Sequence, residues 1–211
     1  MAAKKFLDKM YSLTDQTSAA EVASIYDEWA DTYDSEIVDE LGYAMPDRVA
    51  AMLPALLESR DIRILDIGCG TGASGSKLVE QGYRNIDGCD ISEKMLARAG
   101  TLDIYRKLFL ADLSQPPIAV ADRSYDAVTV VGAFAYGHLR ASALDEILRV
   151  VVDGGLVILT TNDLYYAEGS LDDYISELDR RDRIILLAKE HGAHMPGKDV
   201  GGWVYALGKN H

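Results

Sequence analysis

The chain has 211 residues, of which 48% are hydrophobic and 26% are charged. This length and balance predict one globular domain and exclude a disordered, collagen-like or disulfide-scaffold chain. The 34 acidic residues outnumber the 21 Lys and Arg residues, and the net charge of −13 disfavours nucleic acid and anionic membranes as partners. Two cysteines, no signal-peptide core in the first 16 residues and no run near the roughly 20 apolar residues of a membrane span predict a cytoplasmic protein.

The first 60 residues are expected to form a loose leader, residues 1–16, and then a helical lid. Residues 18–40 predict helix in one or two pieces, because Ser18 and Glu21 have the spacing of a capping box and apolar residues recur every three or four positions behind them. A second helix begins at Met45-Pro46-Asp47 and runs to about residue 59. The eight acids between residues 21 and 40 indicate either a solvated face or a pocket for a cationic ligand.

Apolar strands alternate with amphipathic helices from residue 62 onward, which predicts βαβ units and a parallel α/β sheet. The expected strands are residues 62–67, 86–90, 108–111, 125–131, 156–161, 184–190 and 203–208. The expected helices are residues 74–81, 93–99, 141–152 and 171–180. No helix fits between the last two strands, so we expect them to pair antiparallel. The core is therefore placed at residues 61–211.

A glycine-rich loop follows the first strand and opens a helix. Gly70-Thr71-Gly72-Ala73-Ser74-Gly75 matches the dinucleotide fingerprint, and an acid follows at Asp90, so a nicotinamide-dependent dehydrogenase is one interpretation. Asp66 argues against it, because an acid at that strand end would face the pyrophosphate. The same acid suits an ammonium or sulfonium group.

Two further strand ends carry acids that fit an adenosine. Asp90 can accept both ribose hydroxyls, and Ile91 can cover one face of the adenine. Asp112 can accept from the adenine amino group, and Leu113 offers a backbone N–H. An acid at a strand end is also an ordinary turn former, so Asp112 is the weaker of the two predictions.

These segments together resemble the class I S-adenosylmethionine-dependent methyltransferases over about residues 20–211. The matching segments are Ile64-Leu65-Asp66-Ile67-Gly68-Cys69-Gly70-Thr71-Gly72, Gly88-Cys89-Asp90-Ile91-Ser92, Ala111-Asp112-Leu113, Tyr125-Asp126-Ala127-Val128 and Gly154-Gly155-Leu156. Three further segments are similar to the methyltransferase-like proteins named for the Williams-Beuren region. They are Tyr26-Asp27-x-Trp29-Ala30-x-x-Tyr33-Asp34, Val131-Gly132-Ala133-Phe134-x-Tyr136-Gly137-His138 and Leu159-Thr160-Thr161-Asn162.

The resemblance implies a Rossmann-like seven-stranded sheet in the order 3-2-1-4-5-7-6, with strand 7 antiparallel, and S-adenosylmethionine as cofactor. It implies that the methionine part of the cofactor is held by the loop with Asp66, Gly68, Cys69 and Gly70. By the same resemblance, Asp90 binds the ribose, and Ile91, Asp112 and Leu113 lie around the adenine. Gly132 and Ala133 are expected beside the sulfonium, and Tyr26 and Tyr33 in the lid.

His138 is the candidate general base, because it follows strand 4 on the side where an acceptor is expected. An equally good interpretation is that it caps a helix or packs under the sheet. Without a base, alignment by Tyr26, Tyr33 and Tyr136 is the alternative source of rate. One of Tyr165 and Tyr166 is expected to face the acceptor.

The acceptor is expected to be a small molecule. The Asn/Asp-Pro-Pro-aromatic motif of base-amino methyltransferases is absent after strand 4, and no large insertion accompanies the core. His191 and His194 have no matching Cys or acid motif, so no metal is expected. The alternative is a cofactor-binding protein that acts through a protein partner or on a protein acceptor.

Overall fold

Seven strands form one twisted sheet in the order β3-β2-β1-β4-β5-β7-β6, in a computed structural model that describes residues 8–10, 12–14 and 16–211. The strands are β1 (Ile64–Ile67), β2 (Ile86–Asp90), β3 (Lys107–Leu110), β4 (Tyr125–Phe134), β5 (Val151–Asn162), β6 (Ile184–Met195) and β7 (Val200–Lys209). Strand β7 runs antiparallel to both β5 and β6, and the other neighbouring pairs are parallel. The predicted fold class is confirmed.

Most of the helices lie close to the predicted positions. They are α1 (Ala19–Trp29), α2 (Met45–Leu56), α3 (Ala73–Glu80), α4 (Glu93–Gly100), α5 (Ala143–Val150), α6 (Asp163–Tyr166) and α7 (Ser170–Arg180). A π-helical segment, Asp34–Glu40, follows α1, so residues 18–40 form two helical pieces. The capping box is present, because the Ser18 hydroxyl accepts from the Glu21 amide and the Glu21 carboxylate accepts from the Ser18 amide. The predicted leader lies partly outside the described residues.

Several boundaries differ from the sequence prediction, most of all in the later strands. Strands β4 and β5 are longer than expected, and β6 continues to Met195, so a single 3-10 turn connects β6 to β7. Helix α6 occupies a segment expected to be a loop. The Asn162 side chain begins this helix by accepting a hydrogen bond from the Tyr165 amide at 2.9 Å.

The helices cover both faces of the sheet. Apolar residues of α2 and α3 pack on one face, and apolar residues of α5 and α7 pack on the other. Strands β1 and β4 lie between these layers, and their central side chains are buried. This arrangement leaves the carboxyl ends of the parallel strands as the open edge, where α/β sheets bind ligands.

Candidate active site

A cavity of about 930 Å³ lies at the carboxyl ends of the parallel strands, below the N-terminal helices. Eleven residues predicted as site residues line it. They are Tyr26, Tyr33, Gly68, Gly70, Asp90, Ile91, Asp112, Leu113, Gly132, Ala133 and His138. Three others, Asp66, Cys69 and Tyr136, are not among its lining residues. The sequence motifs therefore come together in space, although three of the chosen side chains lie behind the cavity wall.

Asp66 is a buried hub beneath the glycine loop. Its carboxylate accepts hydrogen bonds from the hydroxyls of Ser74 at 2.6 Å, Tyr105 at 2.8 Å and Thr129 at 2.8 Å. Burial raises the pKa of Asp66, and the three hydroxyls oppose that rise. The side chain has no solvent exposure, so it contacts only other parts of the protein. Its three hydrogen bonds hold the glycine loop in place.

The third glycine of the fingerprint makes this hub possible. A Cβ at Gly75 would lie 2.2 Å from the Tyr105 hydroxyl oxygen, so only glycine leaves room for the ring. Tyr105 is thereby able to reach Asp66 from the segment before β3. Gly75 lies inside helix α3, so this glycine serves the packing behind the loop.

Asp90 ends β2 inside the cavity. One carboxylate oxygen accepts from the Gly70 amide at 2.9 Å, and the other accepts from the Ser92 amide at 2.9 Å. Burial raises the pKa of Asp90, and these backbone donors oppose that rise. Each carboxylate oxygen has a second lone pair, so Asp90 can still accept the two hydroxyls of a ribose.

The next strand end continues the same wall. Asp112, Leu113 and Ser114 line the cavity beyond Asp90. The Asp112 carboxylate accepts from the Ser114 amide at 2.8 Å and from the Gln115 side chain at 2.8 Å. This local turn holds the segment in the place where an adenine is expected.

His138 has both ring nitrogens in hydrogen bonds. Its Nδ1 lies 2.8 Å from the Tyr136 carbonyl oxygen, which can only accept, so Nδ1 carries the proton. Its Nε2 lies 2.8 Å from the Tyr26 hydroxyl and accepts from it. Burial lowers the pKa of His138 and favours the neutral ring. An acceptor can reach Nε2 only if Tyr26 moves away.

Helix α1 and the segment after it are tied to the core at two more places. The Asp27 carboxylate accepts from the Ser92 hydroxyl at 2.6 Å and from the Lys94 amide at 3.1 Å, at the start of α4. The Asp34 carboxylate accepts from the Thr71 hydroxyl of the glycine loop at 2.5 Å. Two acids of the predicted acidic face therefore bind the core and hold the N-terminal helical segment against it.

The far end of the cavity is lined by side chains that the sequence did not single out. Tyr43 packs over Gly132, and a Cβ at Gly132 would lie 2.3 Å from the Tyr43 hydroxyl oxygen. Gly132 also has a φ of +79°, which suits glycine. Its amide donates to the Thr160 hydroxyl at 2.8 Å, at the place where the register between β4 and β5 shifts.

His194 lies next to Tyr43 at this end, which also includes Asn162 and Met195. The two rings meet edge to face, with centroids 5.2 Å apart. Only 5% of His194 is exposed. Burial and the nearby Arg48 guanidinium lower the pKa of His194 to about 4. This ring is neutral at physiological pH.

Three tyrosines predicted near the acceptor face elsewhere. Tyr136 meets Tyr165 edge to face at 5.4 Å, and Tyr165 is buried, with its hydroxyl donating to the Leu139 carbonyl. Tyr166 stacks on Trp203 at 4.4 Å. Neither Tyr165 nor Tyr166 lines the cavity, because the short helix α6 turns both toward the sheet.

Tyr43, Tyr105 and His194 are the functional candidates that the sequence analysis missed. None belongs to a spaced motif, and each reaches the site through a contact between distant parts of the chain. Only His194 could have been suspected from the sequence, because it follows the predicted sixth strand and therefore lies near the hairpin of the last two strands. Across the described ranges, no group of three or more His, Cys, Asp or Glu residues could hold a metal ion.

The comparisons with known proteins agree with this geometry. A family model described as "Methyltransferase domain" matches residues 65–159. The human "Methyltransferase-like protein 27" is 35% identical over 155 residues, which are 71% of this chain and 62% of that protein. "Demethylmenaquinone methyltransferase" of Beutenbergia cavernae is 32% identical over 141 residues, covering 66% of this chain and 57% of that protein.

A solved structure described as the [4+2]-cyclase SpnF superposes with a TM-score of 0.71 at 16% identity, covering 94% of this chain and 99% of that chain. That likeness shows the fold alone, which can carry different chemistries. The chain spans about three-fifths of the length of the curated relatives it matches first.

The matched domain, the relatives and the fold place the chain with the class I S-adenosylmethionine-dependent methyltransferases. The predicted resemblance, including that to methyltransferase-like proteins, is confirmed. In the part of the chain that the structure describes, there is no helix long and apolar enough to cross a membrane.

Proposed function

We propose that this chain transfers the methyl group of S-adenosylmethionine to a small-molecule acceptor held at the Tyr43 and His194 end of the cavity. The observation that carries the proposal is one continuous cavity that joins Asp90 and the glycine loop to that end. Its volume of about 930 Å³ is near the top of the range of roughly 300–1,000 Å³ for small-molecule sites, as expected for a cofactor and an acceptor together.

The residues present fit the cofactor. Asp90 offers a carboxylate for the ribose, and Gly70 leaves open space above its backbone, with no atom within 4 Å of an added Cβ. When bound, the cofactor supplies a methyl group already activated on a positively charged sulfur. The chain must then align the acceptor and exclude water, and the lid contacts of Tyr26, Asp27 and Asp34 support both tasks.

Charge and cysteine chemistry support the remaining parts of the proposal. The net charge of −13 disfavours DNA and RNA as acceptors. Both cysteines are free and buried, which is compatible with a cytoplasmic setting.

Two measurements test the proposal. Calorimetry should show binding of S-adenosylhomocysteine and no binding of NAD, and the reverse result would overturn it. Incubation of the chain with labelled S-adenosylmethionine and a cell-metabolite extract should then move label into a small product identified by mass. Label only in protein, or cofactor binding without turnover, would favour a chain that methylates a protein or acts through a protein partner.

A further inference from the structure

The side chains at the acceptor end of the cavity carry no formal charge. Besides His194, this end is lined by Ile37, Tyr43, Val131, Gly132, Asn162 and Met195. Tyr43 is partly buried, and its burial raises the pKa of the hydroxyl, so this side chain stays a neutral phenol. The polar groups that an acceptor can meet at this end are therefore the Tyr43 phenol, the Asn162 amide and the His194 ring, and all three are neutral hydrogen-bonding groups.

The two ring nitrogens of His194 have different surroundings. Nδ1 is buried without a hydrogen-bond partner among the described residues, against Gly202 of β7, where an added Cβ would lie 3.1 Å from it. An unpaired buried lone pair is tolerated better than an unpaired buried N–H. The proton of the neutral ring is therefore best placed on Nε2, which makes His194 a hydrogen-bond donor toward a ligand.

A positive charge lies near this ring. The Arg48 guanidinium donates to the carbonyls of Glu190 at 2.9 Å, Gly202 at 3.0 Å and Ala193 at 3.1 Å, so it is fixed between β6 and β7 around His194. The nearby carboxylate, Asp163, is bonded to His191 at 2.9 Å. Arg48 and burial resist protonation of His194, and the same positive charge favours an anionic oxygen placed against it.

We propose that His194 donates a hydrogen bond to the acceptor oxygen and, with the charge of Arg48, binds a phenol- or enol-type acceptor as its anion. The proposal rests on the proposed function. The hydroxyl proton leaves to solvent when the acceptor binds. An oxygen lone pair then forms the O–CH₃ bond while the S–CH₃ bond breaks with its electron pair remaining on sulfur, so no general base takes part. This agrees with His138, both of whose ring nitrogens are already bonded.

The first test is spectroscopic and uses 4-nitrophenol as probe, because its anion has a visible absorption band that the neutral form lacks. The titration is done with the chain saturated with S-adenosylhomocysteine, at a pH one unit below the ionisation of the free probe. We expect the anion band to grow saturably with protein concentration. Absence of the band, or binding of the neutral probe, would overturn the proposal without requiring any variant.

The second test separates a donor from a base. His194→Gln keeps an N–H donor and His194→Ala removes it, so Ala should weaken the anion band and the formation of 4-nitroanisole roughly 10- to 100-fold, the usual effect of losing a hydrogen bond to a charged group. The Gln variant should stay within threefold of the wild type. Equal losses in the two variants, or no loss in Ala, would contradict a donor role.

A control and the cofactor measurement complete the experiment. His191→Gln, at a half-exposed position on the same strand, removes a histidine that does not line the cavity and should leave the anion band unchanged. If the wild type fails to bind S-adenosylhomocysteine, the proposed function itself is overturned. If it binds S-adenosylhomocysteine but gives no anion band, only the role of His194 is overturned.

Discussion

The Tyr26 hydroxyl on α1 hydrogen-bonds Nε2 of His138 after β4, across 112 positions of sequence, at 2.8 Å. This bond joins the N-terminal helix to the loop that borders the cavity. Because Nδ1 of His138 donates to the Tyr136 carbonyl, the ring is held in one tautomer that can only accept from Tyr26. This hydrogen bond therefore connects the helical lid to the core.

The hydrogen bond between Tyr26 and His138 predicts energetic coupling between these two residues. Tyr26→Phe and His138→Ala should each raise the dissociation constant of S-adenosylhomocysteine about 2- to 10-fold, because one hydrogen bond contributes about 0.5–1.5 kcal/mol. Calorimetry on both variants and on the double variant measures the coupling. The double variant should be no weaker than the worse single variant, and additive losses would show that the bond does not hold the lid.

The hydrogen bond from Tyr105 to Asp66 predicts that loss of the Tyr105 hydroxyl destabilises the chain. Loss of the hydroxyl of a tyrosine that makes no such bond should cost less. Tyr105→Phe removes a hydrogen bond to a buried carboxylate and should lower the free energy of unfolding by about 1.5–3 kcal/mol. Tyr83→Phe is the control, since its hydroxyl is buried without a hydrogen-bond partner among the described residues. Urea unfolding measures both variants. Equal effects would mean that the Tyr105 hydroxyl contributes nothing specific.

The sequence predicted those parts of the fold that depend on local pattern. Strand β2 has its predicted bounds and α4 begins at its predicted residue, because short strands and helix starts can be recognised within a few residues of sequence. The position of Asp90 at a strand end could be predicted for the same reason. The order of the βαβ units also explains why Gly70 and Ser92 lie next to Asp90, because the ends of β1 and β2 are adjacent in the sheet.

Side-chain direction could not be predicted. Asp66 lies in the motif, yet its carboxylate points away from the cavity to Ser74, Tyr105 and Thr129, which come from three different elements. Nothing near His194 in the sequence indicates that Tyr43 packs on it from 151 positions away. Such contacts depend on tertiary packing, which local spacing does not encode.

The close approach of Tyr43 to Gly132 predicts a pair of substitutions that compensate in part. Gly132→Ala should destabilise the chain, because its Cβ would lie 2.3 Å from the Tyr43 hydroxyl oxygen and the φ of +79° strains an alanine. Adding Tyr43→Phe removes that oxygen and leaves the nearest ring atom at 3.4 Å. Thermal unfolding should show partial recovery in the double variant. No recovery would assign the whole loss to backbone strain.

Asp90 is expected to dominate cofactor affinity. Asp90→Ala should raise the dissociation constant of S-adenosylmethionine at least tenfold, because two ribose hydroxyls lose a charged acceptor and the Gly70 and Ser92 amides lose their partner. Asp87→Asn is the control, since Asp87 lies on the same strand but not on the cavity wall. Calorimetry on the folded variants measures the dissociation constants. An unchanged dissociation constant for Asp90→Ala would show that Asp90 does not bind the cofactor.

The buried His194 predicts a specific dependence of stability on pH. Its pKa falls from the ordinary 6.5 to about 4 in the folded chain, so the unfolded chain binds the proton first as the pH decreases. The stability contribution of the neutral ring is complete above pH 6.5 and is lost as the pH falls toward 4. Between pH 7 and pH 4.5 this loss amounts to about 2–3 kcal/mol.

Substitution of His194 separates its contribution to the pH dependence of stability from the contributions of the other titrating groups. Urea unfolding of the ligand-free wild type and of His194→Gln at both pH values gives the difference between their two pH dependences. The variant should lose about 2–3 kcal/mol less than the wild type, because it has no ring to protonate. Parallel curves for wild type and His194→Gln would mean that His194 takes up its proton as readily when folded as when unfolded.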